Sequence, residues 1–165
     1  MADATTLEDL YIALLADTIS ANEQMAEIVG ELADEAASPR LSSMLEKTEM
    51  KIPEHNETLR RLLTKRGGSE LEEACLGMEG LVDEARENAL DLETEDDAVR
   101  DAAIIHAIQQ MSHYGIAGYG TAAAFARALG YEDDAAELSQ DTREIYGADE
   151  YLTLIAELDV NRKAA

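Results

Sequence analysis

The chain has one cysteine, two prolines, no tryptophan, and 4% aromatic residues in all. A single thiol, Cys75, excludes an internal disulfide and any zinc site built on cysteines, and its expected place is that of a small buried hydrophobe. Few prolines and few aromatics argue against a strand-rich fold and leave long helices uninterrupted. Basic residues are scarce as well: 13 Lys and Arg stand against 36 Asp and Glu, for a formal charge of −23. Such a field repels phosphate backbones and anionic headgroups, so neither nucleic acid nor a membrane surface is an expected partner. The acidity itself reads as a solubility feature and names no function. There is no run of about eighteen apolar residues, and MADATTLEDL has no basic segment leading into an apolar one, so a soluble, cytoplasmic protein is expected.

What is present is Ala, Leu and Glu in helical periodicity. At 165 residues the chain suits a single domain, residues 1–165, and its composition predicts an all-α fold. A first helix starts behind Thr5 or Thr6, carries Leu7, Leu14/Leu15, Met25, Ile28/Val29 and Leu32 on one stripe, and ends near Ser38-Pro39. A second runs from about Arg40 to Lys65 and closes at Gly67-Gly68. Pro53 lies in its middle and predicts a kink or local irregularity there. Residues 69–92 read as one or two short helices interrupted around Gly77 and Gly80. A third long helix spans about Asp96 to Leu129, with His106/Ala107, Met111 and Tyr114 on its stripe and Gly130 as terminator. The fourth spans about Glu132 to Leu158. Four long helices with a long helical connection between the second and third have the topology of a ferritin-like four-helix bundle, whereas up-down bundles use short loops throughout.

The strings LEDLYIALLADTISA, ACLGMEGLVDEA, DDAVRDAAIIHAIQQMSHYGIAGYGT, ALGYEDDAAEL and LDVNRKA, in this order, are similar to those of the YciE/YciF-type ferritin-like proteins. The resemblance covers essentially the whole chain. It implies a four-helix bundle, usually a homodimer, in a group associated with stress responses, and members resembling dinuclear metal proteins with inward carboxylates from all four helices. Two cations about 3.5 to 4 Å apart require several anionic oxygens on rigid facing helices. Carried over position by position, the resemblance places those ligands on Asn22, Lys51, Ser112, Gly115 and Arg143, none of which can replace a carboxylate. Only His55 and Glu144 remain usable.

The expectation is therefore a degenerate metal site, with no metal and no cofactor, in a protein that is not an enzyme and acts as a homodimer in a structural or interaction role. Lys51 and Arg143 would then partner carboxylates such as Glu23, Glu54 or Glu144. Two alternatives stay open. One is an atypical iron or manganese site made of Glu23, Glu54, His55 and Glu144, oxidising metal or disposing of peroxide. The other is a small-molecule site in the space left by Ser112 and Gly115, provided Met111, Tyr119, Ile145 or Tyr146 does not fill it. No catalytic residue is expected, because no Gly-x-Ser-x-Gly turn marks a nucleophile. His106 and His113 are two turns apart, too far to share one ion, so the histidines are expected at core or boundary positions. The glycines of QQMSHYGIAGYGT each cost about 1 kcal/mol in a helix interior, and close helix approach is the expected compensation at Gly118 and Gly120.

Overall fold

A computed structural model describes residues 4–70 and 74–165. Helix α1, Leu7–Glu35, begins with a capping box: Asp9 N–H donates to Thr6 Oγ1 at 3.0 Å and Thr6 N–H donates to Asp9 Oδ2 at 2.9 Å. Helix α2, Pro39–Lys65, starts on a proline, whose missing N–H would lack a partner there anyway. Gly67, at φ 74°, ends it. The short α3, Leu76–Ala85, leads into a π-helical turn at Arg86–Leu90. Helix α4, Asp97–Ala128, is capped by the Asp96 carboxylate and closed by Gly130 at φ 76°. Helix α5, Glu132–Ile155, passes through a second π-helical turn, Ala156–Val160, into α6, Asn161–Ala164. Among the described residues no strand is present.

These are the four long helices and the long helical connection that the sequence predicts. Helix α1 packs chiefly on α2 and α4 on α5, with α3 laid across α1 and α4. The α1–α2 turn is tied to α4 by Asp101, whose carboxylate accepts the N–H groups of Ala37 and Ser38 at 2.9 and 2.8 Å. Burial raises the Asp101 pKa, and these two hydrogen bonds oppose the shift.

One local expectation needs correction. Gly77 and Gly80 do not interrupt the crossover; both lie inside α3. At Gly77 a Cβ would stand 2.7 Å from the Tyr114 ring, so the glycine permits α3 to cross α4 closely. Helix α2 remains helical through Pro53, as its unbroken span from about Arg40 to Lys65 predicts. That residue is exposed, so the carbonyl it leaves unpaired faces water. Two π-helical turns fall at 86–90 and 156–160.

Two apolar clusters make up the core. Met25, Ile28, Leu32, Leu45, Ile104 and Ile108 belong to one, at the end near the α1–α2 turn. Tyr11, Leu15, Leu59, Leu62, Tyr119 and Leu138 belong to the other. Each long helix changes from one cluster to the other near its middle, and the residues at that change are polar.

Candidate functional site

Helix α1 contributes Asn22 to this central layer, α2 contributes His55 and Asn56, α4 contributes Ser112, and α5 contributes Asp141; all are buried. The helical rise explains the grouping, since each residue sits where a core-facing stripe passes the same height in the bundle. Asn22 Nδ2 donates to Asn56 Oδ1 at 2.8 Å and to Tyr119 Oη at 2.7 Å. Asn56 Nδ2 in turn donates to the Ile19 carbonyl at 3.4 Å. Burial pushes the Tyr119 phenol well above its ordinary pKa, so it stays neutral. The heart of the layer is thus made of two neutral side-chain amides and one neutral hydroxyl.

Charge is confined to the α2–α5 seam. Lys51 Nζ lies 2.6 Å from Glu54 Oε2 and 3.3 Å from Glu144 Oε2. His55 Nε2 lies 3.3 Å from the same Glu144 oxygen and 4.0 Å from Asp141 Oδ1. The Gln140 amide, then His55 and Lys51, hold the Glu144 carboxyl below the usual range, and burial works against them. Asp141 shifts the other way. Burial raises its pKa, the Glu144 charge adds to this, and His55 and Lys51 only partly offset it. Its Oδ2 atom is buried without a hydrogen-bond partner.

The residues expected to hold an atypical ion do not converge. Glu23 is exposed and pairs with Arg60 on the outer side of α1. Glu54 is exposed and pairs with Lys51. Of that set only His55 and Glu144 meet. Lys51 does partner Glu54 and Glu144, whereas Arg143 is exposed, one helical step from Glu144. A dinuclear centre does not fit the residues present. At the centre Asn22 offers an amide already bonded twice, Ser112 a hydroxyl and Gly115 nothing, and an ammonium group stands at the seam. Among the described residues no three His, Cys, Asp or Glu side chains are arranged to hold a metal ion. Ser112 and Gly115 border a cavity of about 80 Å³ that is also lined by Met25, Ile52, Met111 and Ile145. A Cβ on Gly115 would find its nearest neighbour, Ile145 Cδ1, at 3.9 Å.

Asn56 and Asp141 are absent from the sequence reading. Their signal was weak but real: Asp141 is three residues before Glu144, and Asn56 follows His55 on the same stripe. His106 and His113 are corrected in the opposite direction. Both are exposed, with His113 Nε2 3.3 Å from Asp149 Oδ2, because the core face of α4 runs through Ile104, Ile108 and Met111. Cys75 is buried as expected but has polar neighbours, its Sγ 3.0 Å from Tyr114 Oη and 3.4 Å from Asp17 Oδ2. Gly118 meets its expectation, since a Cβ there would touch Thr18 Oγ1 at 3.1 Å. Gly120 does not, as nothing lies within 4 Å of the same position.

Residues 6–165 match the family described as a domain of unknown function, DUF892. The chain is 37% identical to protein YciF of Escherichia coli over 164 residues, which is 96% of this chain and 95% of that one. It is similar to the crystal structure of the E. coli stress protein YciF, with a TM-score of 0.89 and 33% identity over 96% of this chain and 99% of that one. It is also similar to the structure of YcfI from Rhodopseudomonas palustris, described as a candidate structural protein. The TM-score there is 0.85, with 31% identity over 92% and 95% of the two chains. The chain belongs to the DUF892 family.

Proposed function

We propose that this protein is a non-enzymatic helical bundle with a structural or interaction role in stress physiology, working in the cytoplasm as a homodimer, and that a degenerate metal centre in it has become a packing layer. The observation that carries the reading is the Asn22 amide, which spends both its hydrogens on Asn56 and Tyr119. A ligand at that position would need a lone pair, and the Asn22 nitrogen presents N–H donors instead. Lys51 at the seam adds a positive charge that opposes a cation. The descriptions of the E. coli relative as a stress protein and of YcfI as a candidate structural protein agree with this role. Inductively coupled plasma mass spectrometry on protein purified without chelators, after iron, manganese and zinc supplementation, is the test. The expected result is well under one metal per chain, and two tightly held metals per chain would refute the reading.

One observation favours a second reading, an atypical iron or manganese site: the orphaned Asp141 Oδ2 stands near His55 and Glu144. It requires Lys51 to leave Glu144. Ferroxidase or peroxidase activity that is lost on Glu144→Ala would support it over the first. A cavity of about 80 Å³ holds a few waters and falls short of the roughly 300 Å³ or more of ordinary ligand pockets, which counts against a small-molecule role.

A further inference from the structure

The α1–α2 turn, the start of α4 and the π-helical turn after α5 border a cleft of about 650 Å³ at one end of the bundle, within the roughly 300–1,000 Å³ of small-molecule sites. Ser38 lines it, is 7% exposed, and has its Oγ buried with no hydrogen-bond partner among the described residues. As the residue that precedes α2 it would ordinarily cap that helix, yet its hydroxyl accepts no helix N–H. Buried hydroxyls are almost always paired, so this one is left for an occupant of the cleft.

Two helix N-termini meet here and would by themselves favour an anion. Carboxylates already answer both of them. Asp101 accepts the N–H groups of Ala37 and Ser38, and Asp96 Oδ1 accepts those of Ala98 and Val99 at 2.9 and 3.3 Å. Glu95 and Asp97 line the cleft in addition. The one basic residue of the lining, Lys163, lies 2.8 Å from Asp159 and is spent there. A surplus of negative charge therefore faces the cleft. Asp97 and Asp101, four residues apart, share one face of α4 and are separated by about 6 Å along its axis. Burial, and then the Asp97 charge, raise the Asp101 pKa, a repulsion that a bound cation relieves.

We infer that this cleft binds a linear aliphatic diamine, with one ammonium group on Asp101 and Ser38 and the other on Asp97 and Glu95. A bare metal ion fits less well: among the described residues no three His, Cys, Asp or Glu side chains are arranged to hold one, whereas carboxylates spaced along a cleft suit two separated charges. The remaining wall is apolar. Pro39, Ala98 and Val160 line it and cover the methylene chain, and the π-helical turn places Val160 there. An ammonium group donates three hydrogen bonds, and Asp101 keeps a lone pair on each oxygen for it beside the Ser38 hydroxyl. The site lies apart from the central polar layer and does not depend on whether that layer holds metal.

Isothermal titration calorimetry of the full chain with putrescine in about 0.15 M NaCl, where long-range attraction is screened, tests this. One site per chain is expected. Butylamine, with a single ammonium group, is expected to bind about tenfold more weakly. Asp97→Asn and Ser38→Ala are each expected to weaken putrescine about fivefold or more, with unchanged circular dichroism. Glu27→Gln on α1, which removes the same charge outside the cleft, is expected to leave it within about twofold, and Lys163→Gln to tighten it. No saturable binding, or a loss as large in Glu27→Gln as in Asp97→Asn, would overturn the site and leave only general attraction to a chain of charge −23. Magnesium that binds at one ion per chain and excludes putrescine would also overturn it, in favour of a metal.

Discussion

Asn22 shows how much a single side chain does in this bundle. Truncation to alanine removes the donor to both Asn56 Oδ1 and Tyr119 Oη, leaving buried acceptors without it, which costs about 1–3 kcal/mol. Asn22→Ala is therefore expected to lower Tm by several degrees in thermal denaturation followed by circular dichroism; an unchanged Tm would mean that the amide contributes no net stability. Asp141 predicts the opposite sign. Its raised pKa means that the ionised form is disfavoured in the folded protein, so the penalty is fully present above the folded pKa and disappears as pH falls below the unfolded value near 3.9. Asp141→Asn is expected to raise Tm at pH 7 by an amount worth about 1 kcal/mol, with the gain shrinking towards pH 4. A variant less stable than wild type at pH 7 would show that Asp141 is held by a partner, such as a cation.

At the scale of elements, the join between α2 and α5 rests on Asp134, which is fully buried. Lys65 Nζ donates to it at 2.7 Å, Arg66 donates two hydrogen bonds at 3.0 and 2.7 Å, and Tyr11 Oη donates a fourth at 3.2 Å. Burial alone would raise its pKa, but the Lys65 and Arg66 contacts more than reverse this and leave it lowered. The stability it supplies is thus present above the unfolded carboxyl pKa near 3.9 and is lost as pH falls through the lower folded value. Asp134→Asn is expected to cost about 2–4 kcal/mol at pH 7, with the difference from wild type narrowing in acid unfolding below about pH 4. A pH-independent difference would contradict an ionic origin. Most helix ends were readable in the sequence, because Thr6, Pro39, Gly67 and Gly130 act locally. The π-helical turns and the exposed histidines were not, since they depend on how α4 rotates against its neighbours. Likewise Asn22 was legible as a position where the resemblance expects a carboxylate, but its partners, Asn56 and Tyr119, lie on other helices.

Across the whole molecule, one polar layer separates two apolar clusters and the seam around it carries Lys51, His55 and Glu144 in contact. At the height where ligands would sit on four rigid helices, amides and a phenol hydrogen-bond to one another and tie α1, α2 and α4 together. Carboxylates are numerous on α1 and α5, with eight on each, and absent from the stretch Ala102–Ala128 of α4. Anomalous diffraction at the iron and manganese edges, from crystals grown with an excess of both metals, bears most directly on this account. It predicts no anomalous peak among Asn22, His55, Ser112 and Asp141; two strong peaks about 3.5 to 4 Å apart there would contradict it.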